Sequence, residues 1–253
     1  MKTIIFPDGI AILDESRKEI TFRNTVYRLP QNSSPGSGDI IILDGRTGIV
    51  SDYNPAFYGN IASKVTQTIK THDSAYMIAI SGIHQGSNVL ESGVGSGQLT
   101  AALLQVVDTS GSVTSVDLSE KNIEKARENL SLYHDISNWK PVPGDIGKFS
   151  ADKTFDAVFL DIPDPWNYAG SIKKLIRAGH HVITYSPNFN QTEKTVISFE
   201  AAGFVHIETC EILKRNLLVR QGMTRPSSEM LGHTAFISNF IGATGFTSKA
   251  VKN

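Results

Sequence analysis

The apolar positions of this 253-residue chain follow three different periods in turn. Up to residue 52 they come in short runs of strand-like spacing: Ile10–Leu13, Ile20–Phe22, Thr25–Leu29, Ile40–Leu43 and Gly48–Val50. Turn formers such as Pro7-Asp8-Gly9, Asn24 and Asp44-Gly45 separate them. Short β-rich runs between frequent turn residues predict an antiparallel sheet. Residues 1–52 are therefore expected to form a small β domain, with Gln31–Gly38 as a flexible loop. Between 53 and 71 the spacing lengthens: Ile61, Val65 and Ile69 fall at helical intervals and predict a helical connector. A second helix is expected from Ser74 to Ile83, with Thr71 at its start as a cap.

Beyond Gly86 strands and helices alternate. Expected strands are Asn88–Glu91, Ser112–Asp117, Trp139–Val142, Phe155–Leu160 and His181–Tyr185; expected helices are Gln98–Val107, Glu120–Tyr133, Tyr168–Arg177 and Gln191–Ala201. Such alternation implies a mostly parallel, doubly wound sheet. Two long apolar runs follow, Phe204–Leu213 and Thr234–Ile241, with no clear helix between them. They are expected to pair antiparallel and close the sheet, making residues 72–253 one α/β domain.

Composition narrows the function classes. Twenty-four Lys plus Arg against twenty-five Asp plus Glu leave a formal charge of −1, so no global basic field points to nucleic acid, and a polyanion would need a local patch. The one cysteine, Cys210, excludes an internal disulfide and a cysteine-based zinc cluster, and the seven histidines lack ligand spacing, so no metal is expected. The N-terminal stretch Met1–Pro7 is too short for a signal peptide, and a cytoplasmic protein is expected.

The strand-to-helix turn carries the chemistry. Residues 90–97 read Leu-Glu-Ser-Gly-Val-Gly-Ser-Gly, the pattern E-x-G-x-G-x-G. Gly93, Gly95 and Gly97 lack a Cβ and tolerate positive φ, so the backbone can approach a nucleotide-like ligand where the helix begins. The glycines miss the dinucleotide register, and the carboxylate of Glu91 would repel a pyrophosphate. It suits a ligand with a cationic ammonium and sulfonium, which points to S-adenosylmethionine.

Ligands of open α/β sheets bind past the carboxyl ends of the strands. About twenty residues after the glycines, Asp117 ends the second strand, where a carboxylate accepts hydrogen bonds from ribose hydroxyls. Its alternative reading is a helix cap, a task Ser119 can take instead. After the third strand, Asp145 can accept the exocyclic amine of adenine while Ile146 packs on the ring; a plain turn Asp is the alternative. The fourth strand runs into Asp161-Ile-Pro-Asp-Pro-Trp166, an acidic group beside a flat aromatic surface. Methylation of a heterocyclic nitrogen needs a rigidly held base with its nitrogen in line with the sulfonium carbon. N1 of adenine already has a lone pair, but its product is a cation. A carboxylate on the N6 amine both orients the ring and stabilises that charge, the role expected of Asp161, with Asp164 as a substitute.

These residues resemble a known family, the tRNA adenine-N1 methyltransferases that modify T-loop adenines at tRNA positions 57 and 58. The likeness runs from about Tyr53 to Phe240. It rests on Thr71-His-Asp-Ser-Ala75, Leu90–Thr100, Leu160-Asp-Ile-Pro-x-Pro-Trp166, Tyr185-Ser-Pro-Asn188, and Arg225-Pro226 followed by Gly232-His-Thr-Ala-Phe236. The resemblance implies a Rossmann-like class I methyltransferase fold behind a small N-terminal β domain. It makes Asp161 catalytic. It assigns the cofactor to Glu91, Gly93, Gly95, Ser96, Gly97, Leu99, Asp117, Leu118, Asp145, Ile146 and Asp161. The base pocket would be lined by Trp166, Tyr185, Arg225, His233 and Thr234. It also implies a homotetramer whose scattered cations combine into a tRNA groove, with Arg23, Arg28, Lys173, Lys174, Lys214, Arg215, Arg220 and Arg225 as candidate phosphate contacts. Two departures stand out: no lysine precedes Asp73, and Asn167–Gly170 interrupts the expected helix.

The rival readings are a class I methyltransferase acting on a protein carboxylate or small molecule, and a non-catalytic tRNA-binding subunit. The first shares the glycine loop but does not need the Asp161–Trp166 cluster. The second would be expected to have lost the glycines or Asp161. A nicotinamide dehydrogenase fails on the loop register and Glu91.

Overall fold

A computed structural model describes residues 2–23, 25–57, 68–132 and 135–243. The expected helix through Ile61 and Val65, and the Tyr133 end of the helix from Glu120, lie outside the described residues. The N-terminal strands are β1 (Lys2–Phe6), β2 (Gly9–Asp14), β3 (Glu19–Phe22), β4 (Thr25–Arg28), β5 (Ile40–Leu43) and β6 (Arg46–Asp52). They form one antiparallel sheet in the order β4-β3-β2-β1-β6-β5. Alternation sends Ile4, Phe6, Ala11, Leu13, Ile20, Phe22 and Val50 to one buried face. The strand missing from the sequence reading is β1, which lies in the interior of this sheet and pairs with β2 and β6.

Helix α1 (Thr71–Ser81) starts one residue after Lys70, which has no side-chain cap, and ends at Gly82 with φ of 71°. Thr71 does not cap it: its hydroxyl donates to the Ala56 carbonyl, 3.0 Å away. The left-handed Gly82 stops the helix short of Ile83. From here the elements are β7 (Asn88–Ser92), α2 (Gln98–Val107), β8 (Ser112–Asp117), α3 (Glu120–Ser131), β9 (Trp139–Pro143) and β10 (Phe155–Leu160). They continue with α4 (Ala169–Leu175), β11 (Ile176–Ser186), α5 (Phe189–Ala201), β12 (Phe204–Cys210), a two-residue pair β13 (Leu217–Leu218) and β14 (Arg225–Pro226), and β15 (Phe236–Gly242). The expected helix Tyr168–Arg177 is shorter than its pattern. Pro165–Tyr168 forms a 3-10 turn, and Ile176 opens the next strand rather than ending the helix.

The second sheet runs β12-β15-β11-β10-β7-β8-β9, with β15 antiparallel to both neighbours and the other strand pairs parallel. Its faces are filled by alternate residues of the same strands. Val89, Val113 and Phe159 pack under α1, α2 and α3, whereas Leu90, Val116, Val158 and Leu160 pack under α4 and α5. Strand order reverses between β7 and β10, and a doubly wound sheet opens a crevice at that point. The closing pair is locked by Phe199 of α5, whose ring centroid lies 5.0 Å from that of Phe204 on β12 and 4.7 Å from that of Phe240 on β15.

Phe199→Ala removes a fully buried ring from this junction and should lower the unfolding free energy by roughly 3–5 kcal/mol in a denaturant titration. A loss under about 1 kcal/mol would show that α5 does not hold the closing strands.

Candidate active site

At the end of β7 the chain turns through Gly93, Gly95 and Gly97 with φ of 92°, 54° and 87°. All three glycines use the conformational freedom expected of them. Gly93 has a second reason: a Cβ there would sit 2.0 Å from the carbonyl oxygen of Asp161. Two bonds fix this approach, Asp161 N–H to Ser92 O at 2.9 Å and Gly93 N–H to Val116 O at 3.1 Å. Asp117 then holds the loop from the side. Its Oδ2 accepts from Val94 N–H (2.9 Å) and Gly95 N–H (3.4 Å), and its Oδ1 accepts from Ser119 N–H (2.8 Å). Ser119, not Asp117, caps α3 by accepting from Asn122 N–H.

The tips of β7, β8, β9 and β10 enclose a cleft of about 490 Å³. Expected residues in its walls are Gly93, Gly95, Asp117, Leu118, Asp145, Ile146, Asp161 and Tyr185. Leu118 is 77% exposed there, and Ile146 presents a second aliphatic surface. Asp145 also makes the plain turn bond, accepting from Gly147 N–H at 2.8 Å. The lining also includes Ser92 and Pro187, which sit in the glycine-loop and Tyr185–Asn188 motifs without an assigned role, and Asn122, Tyr168 and Gln191, which have no motif of their own and are brought in by the turns. Ser96 and Leu99 lie on a separate small hollow behind the loop, which shares Gly93, Gly95 and Asp161 with the cleft. Gly97 lines neither and serves as the N-cap of α2.

The cleft is electrostatically one-sided. Asp117, Asp145, Asp161 and Asp164 line it, and among the described residues no Lys, Arg or His does. Burial, reinforced by the charge of Asp117, pushes the Asp161 carboxyl up to about 7. An anionic pyrophosphate would enter against four carboxylates, whereas a cationic ligand would relieve their repulsion.

Glu91 differs from its expected place. Strand period turns its side chain to the α2 face, where it is fully buried and lines neither the cleft nor the hollow. Its Oε2 accepts from Ser115 Oγ (2.6 Å) and Thr100 Oγ1 (2.8 Å), while Oε1 has no hydrogen-bond partner among the described residues. Trp139 Nε1 donates in turn to Ser115 Oγ at 2.9 Å. Burial raises the Glu91 carboxyl to about 7 against the pull of those two hydroxyls.

The expected base-pocket residues separate. Tyr185 lines the cleft, and Thr234 is buried beside it. His233 sits at the rim, Nε2 2.7 Å from the carbonyl of the cleft residue Pro187 and Nδ1 2.5 Å from Glu211. A ring facing two acceptors is favoured in its doubly protonated form, and those partners raise its pKa. Trp166 is outside the cleft lining; the 3-10 turn sends its ring under Lys194, 5.3 Å away, and Tyr168 takes the aromatic place. Arg225 is outside it too, on β14, because residues 213–226 leave the sheet as an exposed ribbon. Among the candidate phosphate contacts, Lys173 is committed inward, donating to the Gly203 carbonyl and lying over the Phe204 ring. Arg23 pairs with Asp8 and Arg28 with Glu19. Lys214, Arg215, Arg220 and Arg225 share the exposed ribbon and form no ion pairs among the described residues. No group of side chains with metal-site geometry occurs among the described residues, and no helix there is long and apolar enough to cross a membrane.

Two substitutions test this geometry. Gly93→Ala adds a Cβ to a left-handed residue against the Asp161 carbonyl, and should lower stability by about 1–3 kcal/mol and displace Asp161. A native melting temperature would contradict it. For Glu91→Gln the sign follows from a folded pKa above the unfolded one: wild-type stability falls as pH rises from about 4.5 to about 7, where the buried carboxyl must ionise. The glutamine variant escapes that loss. Its stability relative to wild type should therefore grow between pH 5 and pH 8, by about 1–3 kcal/mol; a constant difference would refute the buried-acid reading.

Comparison with known proteins agrees with this architecture. Residues 50–239 match the family model described as "tRNA methyltransferase complex GCD14 subunit". The chain is 30% identical over 208 residues to the tRNA (adenine(57)-N(1)/adenine(58)-N(1))-methyltransferase TrmI of Methanocaldococcus jannaschii, spanning 71% of this chain and 74% of that one. Among solved structures it is similar to the tRNA (m1A58) methyltransferase TrmI of Aquifex aeolicus, with TM-score 0.80, 25% identity and 96% of each chain covered. It is also similar to a SAM-dependent O-methyltransferase of Thermotoga maritima, with TM-score 0.83, 26% identity, and 96% of this chain and 92% of that one covered. The expected Rossmann-like methyltransferase fold is thereby confirmed, and the chain belongs to the tRNA methyltransferase family defined by the GCD14 subunit.

Proposed function

We propose that this chain transfers a methyl group from S-adenosylmethionine to N1 of an adenine in the T loop of tRNA, at position 58 and, as in the archaeal relative's name, also at 57. The observation that carries the reading is the cleft itself: a glycine turn at the switch point, walled by four aspartates and, among the described residues, by no cation. The same observation disfavours a dinucleotide. When bound, S-adenosylmethionine supplies an electrophilic methyl carbon on a sulfonium. Asp117 and Asp145 are assigned to its ribose and adenine, with Leu118 and Ile146 as the apolar surfaces, and Gly93 and Gly95 to the close backbone contact. Glu91 ties β7 to β8 and α2 on either side of the loop through Ser115 and Thr100.

Asp161 is assigned the catalytic role. As a carboxylate it accepts a hydrogen bond from the N6 amine of the target adenine, orients N1 and balances the positive charge that N1 acquires. The acid form lacks that charge. Because Asp161 ionises near pH 7, kcat/KM should rise with pH through that region and level off above it. Substrate contacts are assigned to Tyr185, Thr234 and His233 at the cleft, and to Lys214, Arg215, Arg220 and Arg225 on the ribbon, which faces solvent with Leu217, Leu218, Val219 and Met223 exposed. A homotetramer that covers these apolar residues and lines its cations along one groove fits this surface.

Incubation with methyl-labelled S-adenosylmethionine and unmodified tRNA, followed by nucleoside mapping, tests the function. The expected product is 1-methyladenosine in the T loop; label on a protein carboxylate or a small molecule instead would overturn the reading. Asp161→Ala should lose at least about a hundredfold in kcat while still binding the cofactor. Turnover close to wild type would remove Asp161 from the chemistry.

A further inference from the structure

Tyr185 is the next-to-last residue of β11, with its ring in the cleft wall, while Asp73 sits in the first turn of α1, 112 residues earlier. The two meet inside the protein. The Tyr185 hydroxyl donates to Asp73 Oδ2 at 2.9 Å, and Asp73 is completely buried. Its other oxygen lies 3.6 Å from His72 Nε2 and has no hydrogen-bond partner among the described residues. The helix N-terminus favours a negative charge at that position. A phenol has one hydrogen, and here it is spent on a group outside the cleft.

That direction matters for a reaction in which a ring nitrogen is the nucleophile. A phenol O–H turned into the cleft would donate to the nearest acceptors, the N1 lone pair of the adenine or the carboxylate of Asp161. The first would block attack on the methyl carbon, and the second would weaken the hold on the N6 amine. We propose that Asp73 is a positioning residue that ties the Tyr185 hydroxyl away from the methyl-transfer site, so that Tyr185 offers its ring and withholds its proton. This rests on the reading of the cleft as a base-methylating site.

The proposal makes an uncommon prediction, that a second substitution repairs the first. Asp73→Ala frees the hydroxyl and should lower kcat on tRNA by roughly 10–100-fold, the cost of misplacing one group beside reacting atoms, with cofactor affinity retained. Asp73→Asn keeps an oxygen acceptor and should keep most of the turnover, which also separates lost positioning from lost folding. Tyr185→Phe in the Asp73→Ala background removes the freed proton and should restore much of the kcat. Absence of that rescue, with folded variants, would overturn the proposal.

A second readout does not depend on turnover: 3-fluorotyrosine placed at 185 and followed by fluorine NMR. Burial, Asp73 and Asp161 hold the Tyr185 phenol above its ordinary pKa, while Thr234 acts in the opposite sense. The Asp73→Ala form should shift its resonance and ionise at lower pH than wild type. Identical titrations would refute the tie. If wild type methylates no tRNA, the functional reading fails, while the titration still decides whether Asp73 holds Tyr185.

Discussion

The close approach of two strand tips governs this protein. Val89–Ser92 on β7 lies in parallel register with Ala157–Leu160 on β10, so the first residues past each strand, Gly93 and Asp161, are forced together. Only a residue without a Cβ can stand 2.0 Å, by the position a Cβ would take, from the Asp161 carbonyl. The glycine turn and the acidic lip are therefore one structural unit. A shift of the β7–β10 register by one residue would separate them and would also turn every core side chain of the moving strand to the opposite face.

Electrostatics follows from that unit. Asp161 and Asp164 follow β10, and Asp117 and Asp145 arrive from the neighbouring strands β8 and β9, so four acidic side chains share one wall. Among the described residues no cation enters the cleft to relieve this repulsion. Part of the resulting stress is carried by protonation at Asp161, and part is taken up by Asp117, whose oxygens are occupied by backbone N–H groups. Lys214, Arg215, Arg220 and Arg225 lie elsewhere, on the ribbon between β12 and β15. A near-neutral total thus conceals an acidic cleft and a basic exposed arm.

Much of the fold was legible in the period of the apolar residues, because helices and strands packed on a common core must repeat at 3.6 and 2. The misses have physical causes. Ile176 continues the apolar pattern of α4, and sequence alone does not show that its backbone already pairs with Phe155. Thr71 looks like a cap, but tertiary structure offers its hydroxyl the Ala56 carbonyl. In the cleft, Asp117, Asp145 and Asp161 were readable because they follow strands directly. Glu91 is expected at the cleft, but its position within β7, rather than after it, gives its side chain to the sheet face. Trp166 lies outside the cleft lining because a 3-10 turn rotates side chains by a step that an extended loop would not. Asp73 and Tyr185 were both visible in motifs, but a bond across 112 residues leaves no local trace.

The buried chain from Trp139 through Ser115 to Glu91 has a direction built into it. An indole nitrogen can only donate, so the Ser115 oxygen accepts there, and its single hydrogen must go to Glu91 Oε2. Thr100 donates to that same oxygen. Two donors already converge on Oε2, so a proton arriving on Glu91 is directed to Oε1. The carboxyl thus has two chemically unlike oxygens, one an anchored acceptor and the other the seat of titration, and the protein sorts them with an indole N–H well away from the cleft.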